Sequence, residues 1–118
     1  MLCSKYFFFH AGRYLYTEAS GKGLNDSSSL ASATLSQVED TKVCTMTFWY
    51  HMKGRRIGSL NVYLATTYGH LDNLVWAKSG DQGNKWNKGT VTLNSNADFQ
   101  VRVDGVIDFR KDSVFALR

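Results

Sequence analysis

The sequence predicts an all-β protein, an antiparallel sandwich or barrel, and three observations point there. Short runs of alternating apolar and polar residues recur along the 118-residue chain. Gly, Asn, Asp and Ser stand at nearly every junction between those runs, while proline is absent. An apolar i, i+3, i+4, i+7 repeat occurs nowhere, which removes the helical alternatives. Hydrophobic residues at 43% and charged residues at 20% describe a chain that folds. Its length suits one domain.

From the N-terminus, residues 13–17 alternate through Tyr14 and Tyr16, and residues 30–35 form a weaker strand candidate. Between them the serine-rich residues 25–32 read as an exposed, mobile loop. The clearest strand is 43–52, with Cys44, Met46, Phe48, Tyr50 and Met52 on one side and Val43, Thr45, Thr47, Trp49 and His51 on the other. A short loop bracketed by Gly54 and Gly58 leads to 59–67, where Leu60, Val62 and Leu64 alternate with polar or smaller residues. Strand, short loop and strand predict a hairpin. Residues 73–78 place Leu74 and Trp76 on one face, and 79–89 read as a long connecting loop around Trp86. Residues 90–94, 99–106 and 113–117 are the remaining strands, with Val91, Leu93, Phe99, Val101 and Val103 inward.

Trp76 is expected in the core, and Trp49, opposite the apolar face, is expected to fill a second layer. Trp86 has a loop position that leaves exposure open, although packing is the favoured role.

The net charge of +4 comes from scattered Lys and Arg, the densest stretch being Lys53, Arg55 and Arg56. Nucleic-acid binding needs a clustered basic face, so this pattern argues against it. The mild basicity suits anionic glycans or acidic partners, through attraction that salt weakens. Cys3 and Cys44 are numerous enough for one disulfide, a count that by itself does not set the redox compartment. Asn25-Asp26-Ser27 is an N-glycosylation acceptor pattern. The apolar run at residues 6–9 is shorter than a signal peptide's hydrophobic region, and no apolar stretch is long enough to span a membrane.

Catalytic patterns are missing. No serine stands in a G-x-S-x-G turn, and His10, His51 and His70 belong to different elements without metal-ligand spacing. Asp81, Asp98, Asp104, Asp108 and Asp112 sit where aspartate forms turns, and their spacing matches no calcium loop. The expectation is a protein with no enzymatic activity and no cofactor, a structural Ca²⁺ ion being a minor option.

Four ordered stretches carry a family resemblance: HAGRYLYTEASGKG, VCTMTFWYHMKGRRIGSLNVYL, VWAKSGDQGNKWNKGTVTLN and DFQVRVDGV. They resemble the MAM domain of meprins, neuropilins and receptor tyrosine phosphatases of the mu type. The resemblance implies a jelly-roll-like β-sandwich. It further implies a non-catalytic, extracellular or cell-surface recognition module within a larger protein, serving adhesion, oligomerisation or protein–protein contact, with the membrane reached only through the parent. An alternative within the same fold is a carbohydrate-binding jelly roll using Trp86 and neighbouring Asn and Gln side chains.

Against the family pattern, residues 1–9 are read as an unmatched leader and 10–118 as a partial domain lacking the first strands and the last strand. Met46 and Phe48 are then expected to be left uncovered. Cys44 matches a family half-cystine whose partner lies past the final strand, so its partner is expected to be absent from this chain. Arg55, Arg56, Lys85, Trp86 and Lys88 are the interaction candidates, and Asn25 the glycosylation candidate.

Overall fold

In the computed structural model, alternation along the third strand is complete enough to show how the chain divides its two sides. From Cys44 to Met52 the even-numbered residues are buried, while Thr45, Thr47, Trp49 and Lys53 are exposed and His51 is half-buried. The structure describes residues 15–18, 27–39, 43–54, 57–66, 73–106 and 114–117. Eight strands run through them: β1 (Leu15–Glu18), β2 (Ser27–Ala31), β3 (Cys44–Lys53), β4 (Ser59–Ala65), β5 (Leu74–Ser79), β6 (Asn87–Leu93), β7 (Gln100–Val106) and β8 (Val114–Leu117).

They form two four-stranded sheets, ordered β1-β8-β3-β6 and β2-β7-β4-β5, and every pairing is antiparallel. This is the all-β, antiparallel jelly-roll-like sandwich expected. The core lies between the sheets, with Met46, Phe48, Met52, Val91 and Leu93 from one and Leu60, Val62, Leu64 and Val101 from the other in a single cluster. Burying each such side chain stabilises the fold by about 1.5–3 kcal/mol. Trp76 closes one end of the cluster, with its indole edge-to-face against Phe48 at 4.9 Å and Tyr50 at 5.0 Å.

Met46 and Phe48 are therefore covered, at 7% and 6% exposure, and the expectation that they are left open is corrected. The second sheet lies over them. Phe48 takes its space from its own sheet as well. It stands directly across from Gly89, where a Cβ would lie 2.5 Å from the ring's Cζ. Strand β6 therefore begins before the expected position 90, because a glycine is the residue that lets the backbone pass the ring.

Three other sequence expectations change. The 43–52 and 59–67 strands do not form a hairpin: β3 pairs with β6 and β8, β4 pairs with β5 and β7, and they lie in opposite sheets. Both strands have one apolar face, and stacking those faces buries more than pairing edges would. Residues 27–31, expected within a loop, are strand β2 along β7. The serines supply backbone for the ladder, and the Ser29 hydroxyl donates to the Asp104 carboxylate. Leu74 and Trp76 do not share a face, because the β4–β5 register shifts between Val62 and Tyr63. Trp76 pairs with Val62 facing inward, while Leu74 pairs with Tyr63 and is 52% exposed. One extra residue resets the period of two.

On the outer side of the second sheet, Arg102 lies between Ala31 and Tyr63. Among the described residues its enclosed Nε has no hydrogen-bond partner.

Candidate functional site

The loop 80–86 joins β5 to β6 and is held at the end of the sandwich by backbone bonds to two other segments. Gly80 N–H donates to Gly58 O at 3.0 Å, and Gln82 N–H donates to Met52 O at 2.7 Å. The Asp81 carboxylate accepts from Gly83 N–H at 3.0 Å and from Gly54 N–H at 3.2 Å, tying the loop to the end of β3. Gly80 and Gly83 have φ of 79° and 85°, left-handed conformations that other residues adopt only with strain. The loop is built by its own amides too: Gln82 Nε2 donates to Ser79 O, and Asn87 Nδ2 donates to Gln82 O.

This anchoring presents Trp86 across from His51, the two rings meeting edge-on at 5.6 Å. His51 Nε2 is 3.1 Å from Asn84 Oδ1, which fixes the imidazole between the loop and the strand. Two residues back on the same face, Trp49 is 43% exposed, so it does not fill a second layer as expected. Nothing among the described residues lies over that side of the sheet deeply enough to bury it. Lys88 stands directly opposite Trp49, and Thr47–Thr90 and Thr45–Thr92 continue the two rows, all exposed.

Several lysines gather at this end of the sheet, with the Asp81 carboxylate beside them. Strands β3 and β6 contain no Asp or Glu, and both Lys53 and Lys88 project outward with Lys85 close by in the loop. Among the described residues none of these three ammonium groups is in an ion pair. The carboxylates of Asp81, Asp98 and Asp104, by contrast, each accept a hydrogen bond from a nearby protein donor. Among the described residues no group of three His, Cys, Asp or Glu side chains could hold a metal ion. Asp108, Asp112, His10 and His70 lie outside them.

The structure thus brings Lys85, Trp86 and Lys88 to one end of one sheet. Arg55, Arg56 and Asn25 lie outside the described residues. Trp49, His51 and Lys53 complete the face, and they are not among the interaction candidates read from the sequence. Their shared parity along β3 was legible, but their proximity to Lys88 and Trp86 depends on the β3–β6 register. Cys44, 2% exposed at the start of β3, is disulfide-bonded. The expectation that its partner is absent from this chain is corrected. The sequence holds one other cysteine, Cys3, which lies outside the described residues. The family pairing could not be carried over, because it rests on a cysteine this sequence does not contain.

The family model for the MAM domain, meprin/A5/mu, matches residues 7–118. The chain belongs to the MAM domain family. This MAM domain is 37% identical over 101 residues to neuropilin-1a of Danio rerio, covering 83% of this chain and 11% of that protein. It is 34% identical over 97 residues to MAM domain-containing glycosylphosphatidylinositol anchor protein 1 of Homo sapiens, covering 80% of this chain and 10% of that protein. With neuropilin-1 of Xenopus laevis it shares 31% over 98 residues, 81% of this chain and 10% of that protein. The MAM domain therefore spans about a tenth of the length of the curated relatives it matches.

Proposed function

We propose that this MAM domain is a non-catalytic recognition module of a cell-surface or extracellular protein, and that it contacts a protein partner through the outward face of β3 and β6. The observation that carries this reading is Trp49: a large aromatic side chain, 43% exposed, on the outward face of a hydrogen-bonded strand. Tryptophan is among the residues that dominate binding energy at protein interfaces, and flanking threonines supply neutral contacts that exclude water. The family membership and the neuropilin and anchor-protein relatives support the setting. The sugar-binding alternative is weaker, because the amides around Trp86 are occupied. Asn84 faces His51, and the amides of Gln82 and Asn87 hold the loop.

The test uses the chain secreted with an added signal peptide and displayed on a tetrameric tag, applied to intact cells. Alongside it, analytical ultracentrifugation of the untagged chain detects self-association. Cell binding or reversible self-association that Trp49→Ser reduces at least roughly 10-fold, with an unchanged melting curve, supports the reading. Binding unaffected by Trp49→Ser refutes this face as the contact. Loss of cell binding after glycosidase but not after protease treatment refutes the protein partner.

A further inference from the structure

We infer that the outward face of the second sheet, β2-β7-β4-β5, is a two-fold contact surface that takes a second copy of this chain. The inference starts from the strand register. Arg102, Tyr63 and Leu74 stand side by side in one cross-strand row, and Asp104, Asn61 and Ala77 form the row two residues along. All six point away from the core, since Val62, Val101 and Val103 beside them face inward. Each member of one row is the complement of its counterpart in the other: cation against anion, ring against short amide, leucine against a methyl.

A second copy laid face to face, turned about a two-fold axis that crosses the strands over Val103, reverses the strand direction and keeps the cross-strand order. The rows then meet each other. Arg102 lies over the partner's Asp104, Tyr63 over the partner's Asn61 and Leu74 over the partner's Ala77, and each pair occurs twice. An axis along the strands instead sets Asp104 over the partner's Asn61 and leaves the charges apart.

The side chains are placed to make these contacts. Leu74 is 52% exposed, Ala77 is exposed, and Asn61, Tyr63, Arg102 and Asp104 are half-buried. The Ser29 hydroxyl donates to one oxygen of Asp104, which steers the carboxylate while it keeps its charge. Arg102 adds an independent observation. Among the described residues its enclosed Nε has no hydrogen-bond partner, a cost to the fold rather than a gain. An arginine at this place points to a use of its charge outside its own chain.

With strands about 4.8 Å apart and rows about 6.8 Å apart, the face covers roughly 400 Å² per copy. That is about half of what each side of a stable complex buries, so the dimer is weak and acts where many copies are held together. It lies on the other side of the sandwich from Trp49 and leaves that docking face free.

Sedimentation equilibrium of the secreted, disulfide-bonded chain, up to roughly 1 mM, tests this surface. The wild type should dimerise reversibly, and more weakly as NaCl rises from about 0.05 M to about 0.5 M. Arg102→Glu and Asp104→Lys should each weaken the dimer at least roughly 10-fold, because each sets like charges against one another. Mixed in equal amounts, the two variants should associate at near wild-type strength. The introduced glutamate then meets the introduced lysine, and the native Asp104 meets the native Arg102. Trp49→Ser should change nothing. A wild type that stays monomeric refutes the surface, as does a dimer that both charge variants leave intact. Variants that are each weakened but do not recover on mixing refute the two-fold register. Self-association lost with Trp49→Ser and kept by the charge variants belongs to the first sheet and overturns this face. Cell binding is read separately, so failure of the Trp49 docking role leaves this test standing. Should either charge variant melt lower, Arg102→Met and Leu74→Ser replace them: a weaker dimer supports the surface and an unchanged one refutes it.

Discussion

Replacing Gly89 by alanine adds a single methyl group, yet the structure makes it one of the most consequential small changes available. The new Cβ would lie 2.5, 2.7 and 3.0 Å from three carbons of the Phe48 ring. Carbon atoms in contact normally stand about 3.5–4.0 Å apart, so the ring must retreat by roughly 1 Å. It is hemmed in by Trp76 at 4.9 Å and Tyr50 at 6.1 Å, and its neighbours belong to a closely packed core. Overpacking of this kind destabilises by about 1–3 kcal/mol. Relief of glycine's backbone entropy offsets about 0.5–1 kcal/mol of it. A net loss centred on about 1 kcal/mol remains, a drop in Tm of roughly 4 °C for a chain of this size. The assay is urea denaturation in a double-mutant cycle with Phe48→Leu, which removes the obstructing ring carbons. Phe48→Leu alone should destabilise, and Gly89→Ala placed on that background should cost at least about 0.5 kcal/mol less than it does on the wild type. Additive effects, or a neutral Gly89→Ala, would refute the reasoning that this glycine exists to admit the ring.

Asp81→Ala removes the acceptor for two backbone N–H groups and should cost about 1–2 kcal/mol, with faster amide exchange at Gly54 and Gly83 in hydrogen-exchange measurements. Arg102→Met eliminates an enclosed Nε–H that has no partner, so denaturant titration should show stability unchanged or raised by up to about 1 kcal/mol. Cys44→Ala breaks the disulfide and should cost about 2–5 kcal/mol by thermal melting, and a non-reducing peptide map should recover Cys44 in a cross-linked pair. Trp49→Ser, on an exposed face, should move stability by no more than about 0.5 kcal/mol in the same melts.

The sequence by itself determined most of the strands and, along the regular ones, which side is apolar. The alternation along 43–52, 59–65 and 99–106 carried the inward positions of Phe48, Leu64 and Phe99, because a side chain's parity along a strand is a local property of the backbone. It also held the family, since four blocks of residues in order survive without any knowledge of where they meet. What only the tertiary structure decided is partnership. That β3 and β4 face each other across the core, that residues 27–31 pair with β7, and that one extra residue turns Leu74 outward are matters of register and sheet order. The candidate face is of the same kind: Trp49, His51 and Lys53 share a parity visible in the sequence, but Lys88 and Trp86 join them only through the β3–β6 pairing. Pairing partners more than thirty residues apart are chosen by the burial of whole faces against one another, an energy that belongs to the assembled core and to no local segment of the chain.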